Sequence, residues 1–327
     1  MICKNCSRNI SKRIKTHCCM CNSPLHEDCA IKENNQLYCD VCYTVKEEEG
    51  VNIIENVTIP KVIRRSYIET YKSCPYKFYL QVIKGVEKDY SNIYAQIGID
   101  LHKLFEKACH NHKYLESDMF EEFLTIWDNY SPTDFDHEEQ RKMLYERAIT
   151  CIEMFYKVLS TLPKIPHCTE KQIIFNIGEN LPAISTTSDR IDLINGELEV
   201  SDWKTGKTMV GQKLSSDLQA PLYIYGIRQE FNLPIRRFTF YYLQEDKQRV
   251  FERTTNDDYV CKVRNKLYHI NITDAVREVQ SIFSHIIKKD FNVPYDTKKM
   301  YFTCKMCHLR EKEICKGADI QSWKMAQ

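Results

Sequence analysis

From residue 64 onward the apolar positions repeat with a helical period. Tyr67, Tyr71, Cys74 and Phe78 fall at i, i+4, i+7 and i+11, one face of a helix that Pro75 interrupts. A second helix over "NIYAQIGIDLHKLFEKACHN" turns Ile97, Leu101, Leu104, Phe105 and Ala108 inward, with Gly98 and His102 one turn apart beside that stripe. Polar helices follow through "EEFLTIWDN" and "HEEQRKMLYERAITCIEMFYKVLS". The period then falls from 3.6 to 2: "KQIIFNI", "DRIDLI" and "ELEVSDW" predict three strands, "SDLQAPLYIYGIRQEF" a helix, and "RRFTFYYLQ" a fourth strand. Trp203 faces away from Asp202 and is expected in the core.

Before residue 64 the pattern is set by cysteines. Cys3-x2-Cys6, Cys18-x2-Cys21, His26-x2-Cys29 and Cys39-x2-Cys42 make four chelating pairs, eight ligands for two tetrahedral zinc ions. Cys19 is out of register and is read as a spare. The ligand order resembles the cross-braced PHD and RING-type fingers, in which alternate pairs share an ion. A charge run, Glu47-Glu48-Glu49, and a short extended segment form a linker over 47–63. The expected domains are therefore a finger at 1–46, that linker, and one large unit at 64–327.

Composition narrows the function. The chain has 327 residues, 43% hydrophobic, and Lys+Arg 46 against Asp+Glu 45, so any nucleic-acid surface must be a local patch. No apolar run reaches the roughly 20 residues of a membrane span, and "MICKNCSRN" lacks a signal-peptide core, so the expected setting is cytoplasmic and soluble with no membrane partner. In a reducing compartment the 16 cysteines are metal ligands before they are disulfides.

The stretch "VSDWKTGKT" ends like a phosphate-binding P-loop, but Ser201 stands where that loop needs glycine. Its chemistry lies instead in Asp202-x-Lys204, two residues that share one face of a strand. Carboxylates there can hold hard cations, and an ammonium beside them can orient a water or offset charge on a phosphoryl group.

Cys74-Pro75, Gly98-x3-His102, "RIDLI" at 190–194, "DWKTGK" at 202–207 and Leu218-Gln219-Ala-Pro-Leu-Tyr223 follow one another in that order. The set resembles the RecB-like branch of the PD-(D/E)XK nucleases. The resemblance implies an α/β restriction-endonuclease-like core, a mixed sheet flanked by helices, with a helical insertion. It implies a metal-dependent nuclease, an exonuclease or end-processing enzyme of DNA repair, recombination or phage and CRISPR-type DNA metabolism. It also implies magnesium or manganese on His102, Asp192 and Asp202, with Lys204 catalytic. Glu170 becomes an accessory acid, and Gln219 and Tyr223 hold the lysine and a DNA phosphate. DNA ends or single strands are the expected substrate, and the finger offers a surface for a protein partner. A zinc-finger adaptor on an inactive nuclease fold is the alternative. The glycine usual at the head of the "RID" strand is Asp189 here, an extra carboxylate able to crowd or tune the site.

Asn195-Gly196 poses a geometric condition. A two-residue hairpin pairs 194 with 197 and puts Asp192 and Asp202 on opposite faces, so a shared metal requires a three-residue loop or a bulge. Near the C-terminus, Cys304-x2-Cys307-x7-Cys315 leaves one ligand position open. Resemblance to the AddB and CRISPR-adaptation exonuclease type fills it with Cys74 around a structural 4Fe-4S cluster, and a zinc knuckle using His308 is the alternative. Cys109, Cys151, Cys168 and Cys261 are expected to be buried apolar residues.

Overall fold

The computed structural model describes residues 57–86, 93–111 and 113–291, together with short segments at 16–17, 24–25, 30–33, 36–38, 303–305, 307–311 and 314–315. The chain divides into two compact units. One is Pro60–Ser73 with Phe78–Lys288, and the other is Met1–Ile59, Cys74–Lys77 and Lys289–Gln327. Cys74–Lys77 thus groups with the C-terminal segment rather than with the helical residues on either side of it.

In the smaller unit, β1 (Thr16–His17) pairs antiparallel with β2 (Pro24–Leu25), and β3 (Ile31–Glu33) with β4 (Gln36–Tyr38). The eight finger ligands, Cys3 to Cys42, lie outside the described residues. Cys74 and Cys304 are buried, and the Cys307 amide donates to the Cys304 carbonyl at 3.2 Å.

The larger unit is built on one mixed sheet. Its path runs β12 (Lys266–Asn271), β11 (Asp258–Val263), β10 (Lys247–Arg253), β9 (Ile235–Tyr242), β8 (Glu197–Lys204), β7 (Ala183–Ile194) and β5 (Val62–Arg64), and β6 (Cys168–Phe175) also pairs with β7. The β8–β9 and β5–β7 pairs are parallel and the others antiparallel. β7 is buried along nearly its whole length, as a strand covered on both faces should be.

Helix α1 (Arg65–Ser73) stops at Cys74, where the following Pro75 disfavours helical backbone. Helices α2 (Ile93–His110), α3 (Glu116–Asp128) and α4 (Glu138–Leu159) form the insertion between α1 and β6. The predicted stripe of α2 is buried against Met119, Phe123 and Trp127 of α3 and Leu144, Ala148, Ile152 and Phe155 of α4. Phe105 stacks on Phe155 at 4.2 Å between ring centres, and Phe155 meets Trp203 edge-on at 5.0 Å, so this cluster reaches β8. Trp203 is 2% exposed, in the core.

Helix α5 (Gln219–Phe231) crosses between parallel strands β8 and β9. Helix α6 (Ile272–Ile287) starts at Asn271, whose side chain accepts from the Asp274 amide at 2.9 Å, and buries Ile272, Val276, Val279, Phe283 and Ile286. Cys109, Cys151 and Cys261 are buried, whereas Cys168, at the start of β6, is only half-buried.

Candidate active site

The β7–β8 hairpin settles which carboxylates meet. Ile194 pairs with Glu197, and Asn195 and Gly196 both take positive φ, 52° and 82°, so the loop has two residues and primed-turn geometry. Arg190 therefore pairs with Ser201 and Asp192 with Glu199. One residue further along, Asp189 falls across from Asp202. Thr169↔Arg190 and Lys171↔Ser188 flank Glu170 and Asp189 in the same way on β6. Side chains directly across a ladder share a face, so Glu170, Asp189 and Asp202 form a row over three strands.

Asp192 is elsewhere. Three residues from Asp189 along the strand, it points to the other face, 2% exposed, where Arg190 Nε donates to its Oδ2 at 2.9 Å and Nη2 to its Oδ1 at 2.8 Å. The Arg190 guanidinium also donates to the Pro163 carbonyl and reaches Cys109 Sγ of α2 at 3.8 Å. The structure thus replaces the sequence-based expectation of an Asp192–Asp202 pair with Asp189–Asp202, because the hairpin has no extra residue to change the parity. Asp189, taken from sequence as a departure, sits at the centre. The Asn-Gly turn is the sequence signal that, taken as a two-residue loop, would have placed Asp189 across from Asp202.

Helix α2 brings His102 to this row. His102 Nδ1 lies 3.6 Å from Asp189 Oδ1, and His102, Glu170 and Asp189 each offer a ligand atom within 4.8 Å of the others. Asp189 Oδ2 accepts from the Trp203 backbone N–H at 2.6 Å, which fixes the carboxylate in the ladder. Gly98, one turn before His102, lets α2 approach the end of β8: a Cβ there would sit 3.2 Å from Thr205 Oγ1. Above the row opens a cleft of about 440 Å³ lined by Tyr94, Gly98, His102, Glu106, Glu170 and Thr205.

On the next strand Asp202, Lys204 and Gln219 close a triangle. Lys204 Nζ is 2.6 Å from Asp202 Oδ2 and donates to Gln219 Oε1 at 2.8 Å, while Gln219 Nε2 donates to Asp202 Oδ1 at 2.6 Å. Asp202 Oδ2 is buried and accepts no well-directed hydrogen bond, its ion pair with Lys204 apart. Tyr223 follows Gln219 by one turn and is 7% exposed.

Titration follows from this crowding. Burial pushes the Asp202 carboxyl up to about 6 against the pull of Lys204, and neighbouring Asp189 adds to the rise. Glu170 is pushed up to about 7 by burial and then by Asp189, with His102 opposing. Burial alone would lower His102, but its contact with Asp189 outweighs that and raises it. Burial also raises the Tyr223 phenol, with Asp202 adding and Arg65 opposing. Three carboxylates held together at such a cost, with an imidazole beside them, match the donor set of a divalent cation. Among the described residues the cysteines form no comparable convergent set, although the Cys74 thiol, raised first by burial, is raised further by the nearby Cys304 and Cys307.

A family model described as "PD-(D/E)XK nuclease superfamily" matches residues 65–316. Among solved structures, the one described as "Crystal structure of SSO0001" is similar at 14% identity and a TM-score of 0.34, over 84% of this chain and 95% of that one. No curated protein matches.

Proposed function

The chain belongs to the PD-(D/E)XK nuclease superfamily over residues 65–316, and from that premise we propose that it is a metal-dependent deoxyribonuclease of the exonuclease or end-processing kind. The observation that carries the reading is the row Glu170, Asp189 and Asp202 with His102 at one end and Lys204 at the other.

His102, Glu170, Asp189 and Asp202 would hold magnesium or manganese. When bound, such a cation lowers the pKa of water and offsets charge on phosphoryl oxygens. Lys204, held by Asp202 and Gln219, keeps its ammonium beside the carboxylate row, where it can hydrogen-bond an attacking water or a non-bridging oxygen. Gln219 fixes the lysine from the start of α5 and holds Asp202 Oδ1, while Asp202 Oδ2 faces the Lys204 ammonium at 2.6 Å. With its carboxyl near 7, Glu170 can hold or release a proton at neutral pH. Tyr223 offers a neutral hydroxyl next to this set, suited to a substrate phosphate.

Labelled single-stranded and duplex DNA incubated with magnesium or manganese tests the reading. Asp189→Ala, Asp202→Ala and Lys204→Ala should each cut cleavage by at least about 100-fold, while circular dichroism shows folded protein. Undiminished turnover in any one of them would remove this site from the reaction.

Three structural metal groups, one cluster and two zinc ions, would extend the reading. Cys74, Cys304, Cys307 and Cys315 would hold a 4Fe-4S cluster. The finger cysteines and His26 would hold two zinc ions and present a surface for a protein partner or DNA.

A further inference from the structure

The sheet carries a second feature at the same end as the carboxylate row. Lys204 pairs with Tyr242 across the parallel β8–β9 ladder, and Tyr242 pairs with Lys247 at the start of β10. The register Glu252↔Val260 and Arg253↔Tyr259 runs β11 back toward the start of β10, and Cys261 contacts the Val250 backbone there. The β11–β12 hairpin, closed at Val263↔Lys266, therefore turns back at the active-site end.

Its tip carries Lys262, Arg264 and Lys266, three exposed cations within five residues, and none has an ion pair or hydrogen bond among the described residues. Most cations of the sheet are paired in contrast: Lys247 with Glu245, Arg253 with Glu197, and Arg237 with Glu199 and Glu252. The backbone adds a separate observation. Arg264 takes φ 55°, a left-handed position that turns ordinarily give to Asn, Asp or Gly. Arg264 is exposed at the apex of a two-residue turn, at a backbone position that disfavours a long side chain.

The segment between the active site and the hairpin is also fixed. After Lys204 the chain is tied to the β9–β10 connection by Thr208 Oγ1 donating to Glu245 Oε2 at 2.9 Å, and to β10 by Arg249 Nε donating to the Met209 carbonyl at 3.3 Å. Lys207 stands exposed in that segment. The Glu245 carboxylate is ion-paired with Lys247 and accepts from Thr208, so the Lys247 ammonium offsets its charge toward an anion crossing here.

We infer that the Lys262–Lys266 hairpin, with Lys207 along the way, is a phosphate-contacting surface that grips the nucleic-acid backbone beyond the scissile bond. The inference rests on the nuclease reading for its choice of partner. Three strand steps of about 4.8 Å separate β8 from β11, some 14 Å. One strand of DNA places a phosphate about every 3.4 Å, so the hairpin meets the backbone roughly four nucleotides from the reaction. The contact is with phosphates and carries no sequence information.

The test is Lys262→Gln, Arg264→Asn and Lys266→Gln together, with asparagine chosen because it suits the left-handed turn and keeps the hairpin folded. Fluorescence anisotropy of a long labelled oligonucleotide is read in EDTA, so that binding is separated from cleavage. The triple variant should bind about 10- to 100-fold more weakly near 0.1 M salt, with the slope of log affinity against log salt shallower by about two to three. A drop nearer three reports duplex as the strand engaged and one nearer two single strands. Lys142→Gln, on the helical insertion, should leave both readouts unchanged. For cleavage, KM should rise on long substrates and stay unchanged on oligonucleotides of about four nucleotides or fewer. Unchanged affinity and slope in the triple variant, or a wild type that binds no DNA, overturns the inference. Wild-type binding that depends on the hairpin, without cleavage under any divalent metal, overturns the nuclease reading and leaves this surface standing.

Discussion

Arg190 is fully buried, and Asp192 is the carboxylate that neutralises it. Removing one partner of such a pair leaves an uncompensated buried charge, which costs about 3–5 kcal/mol. Asp192→Ala should therefore shift the chemical denaturation midpoint strongly while cleavage per folded molecule changes little. Asp189→Ala should do the reverse. If Asp192→Ala instead abolished cleavage in fully folded protein, the assignment of Asp189 in its place would be wrong. Glu170 supplies a pH dependence. Its carboxyl is raised from 4.5 to about 7, so below 7 the folded protein holds a proton that a cation must displace. Cleavage should climb between about pH 6 and 8, and Glu170→Gln should remove that rise from the pH–rate profile. For the metal-free protein the sign is opposite. The folded state binds this proton more tightly than the unfolded chain, so the contribution of Glu170 to stability grows as pH falls from about 7 toward 4.5.

Helix α5 has to lie close to the sheet for Gln219 to reach both Asp202 and Lys204. The close approach is made at Gly226, where an added Cβ would sit 2.4 Å from the ring of Phe175, itself 3% exposed on β6. The ring has little room to yield, so Gly226→Ala should destabilise by about 1–3 kcal/mol, visible as a lower Tm. Cleavage should fall as well, since a displaced α5 takes Gln219 away from the lysine; a variant of normal Tm and activity would show that the contact relaxes freely. The elements around the site were legible in sequence wherever one period ran long enough. The inward stripe of α2, the three strands β6 to β8, helix α5 and β9 all follow from apolar spacing. Strands β10 to β12 and helix α6 were not read. The three strands are short, with charged residues interleaved throughout, and they exist because each pairs with its neighbour rather than because of a strong pattern of their own. Helix α6 carries an amphipathic stripe and a capping Asn271, a helix signal within its own sequence.

At the scale of the whole molecule, Cys74 groups with the C-terminal segment in one compact unit, far in sequence from Cys304 and Cys307. A cluster held by these cysteines would close a loop of more than two hundred residues, and in the cross-link description such closure is worth several kcal/mol of unfolded-state entropy. Anaerobically purified protein should absorb near roughly 400 nm. Cys304→Ala should lose that colour and several degrees of Tm together, and a colourless wild type containing zinc would favour the His308 knuckle. Sequence by itself determined the order of the elements from β6 to β9 and the placing of Asp202 and Lys204 on one strand face, because periodicity within a strand fixes which side chains share a face, and the resemblance of its motifs pointed to the nuclease-type core. Sequence also posed the parity condition at Asn195-Gly196. What only the tertiary structure decided is which second carboxylate joins Asp202. Pairing register is a relation between strands, and a two-residue loop against a three-residue one moves every side chain of β7 to the other face of the ladder. The same register that carries Asp192 away to Arg190 brings Asp189 to His102 and Glu170, residues contributed by a helix and a strand distant in sequence, and only the packed sheet could assemble them.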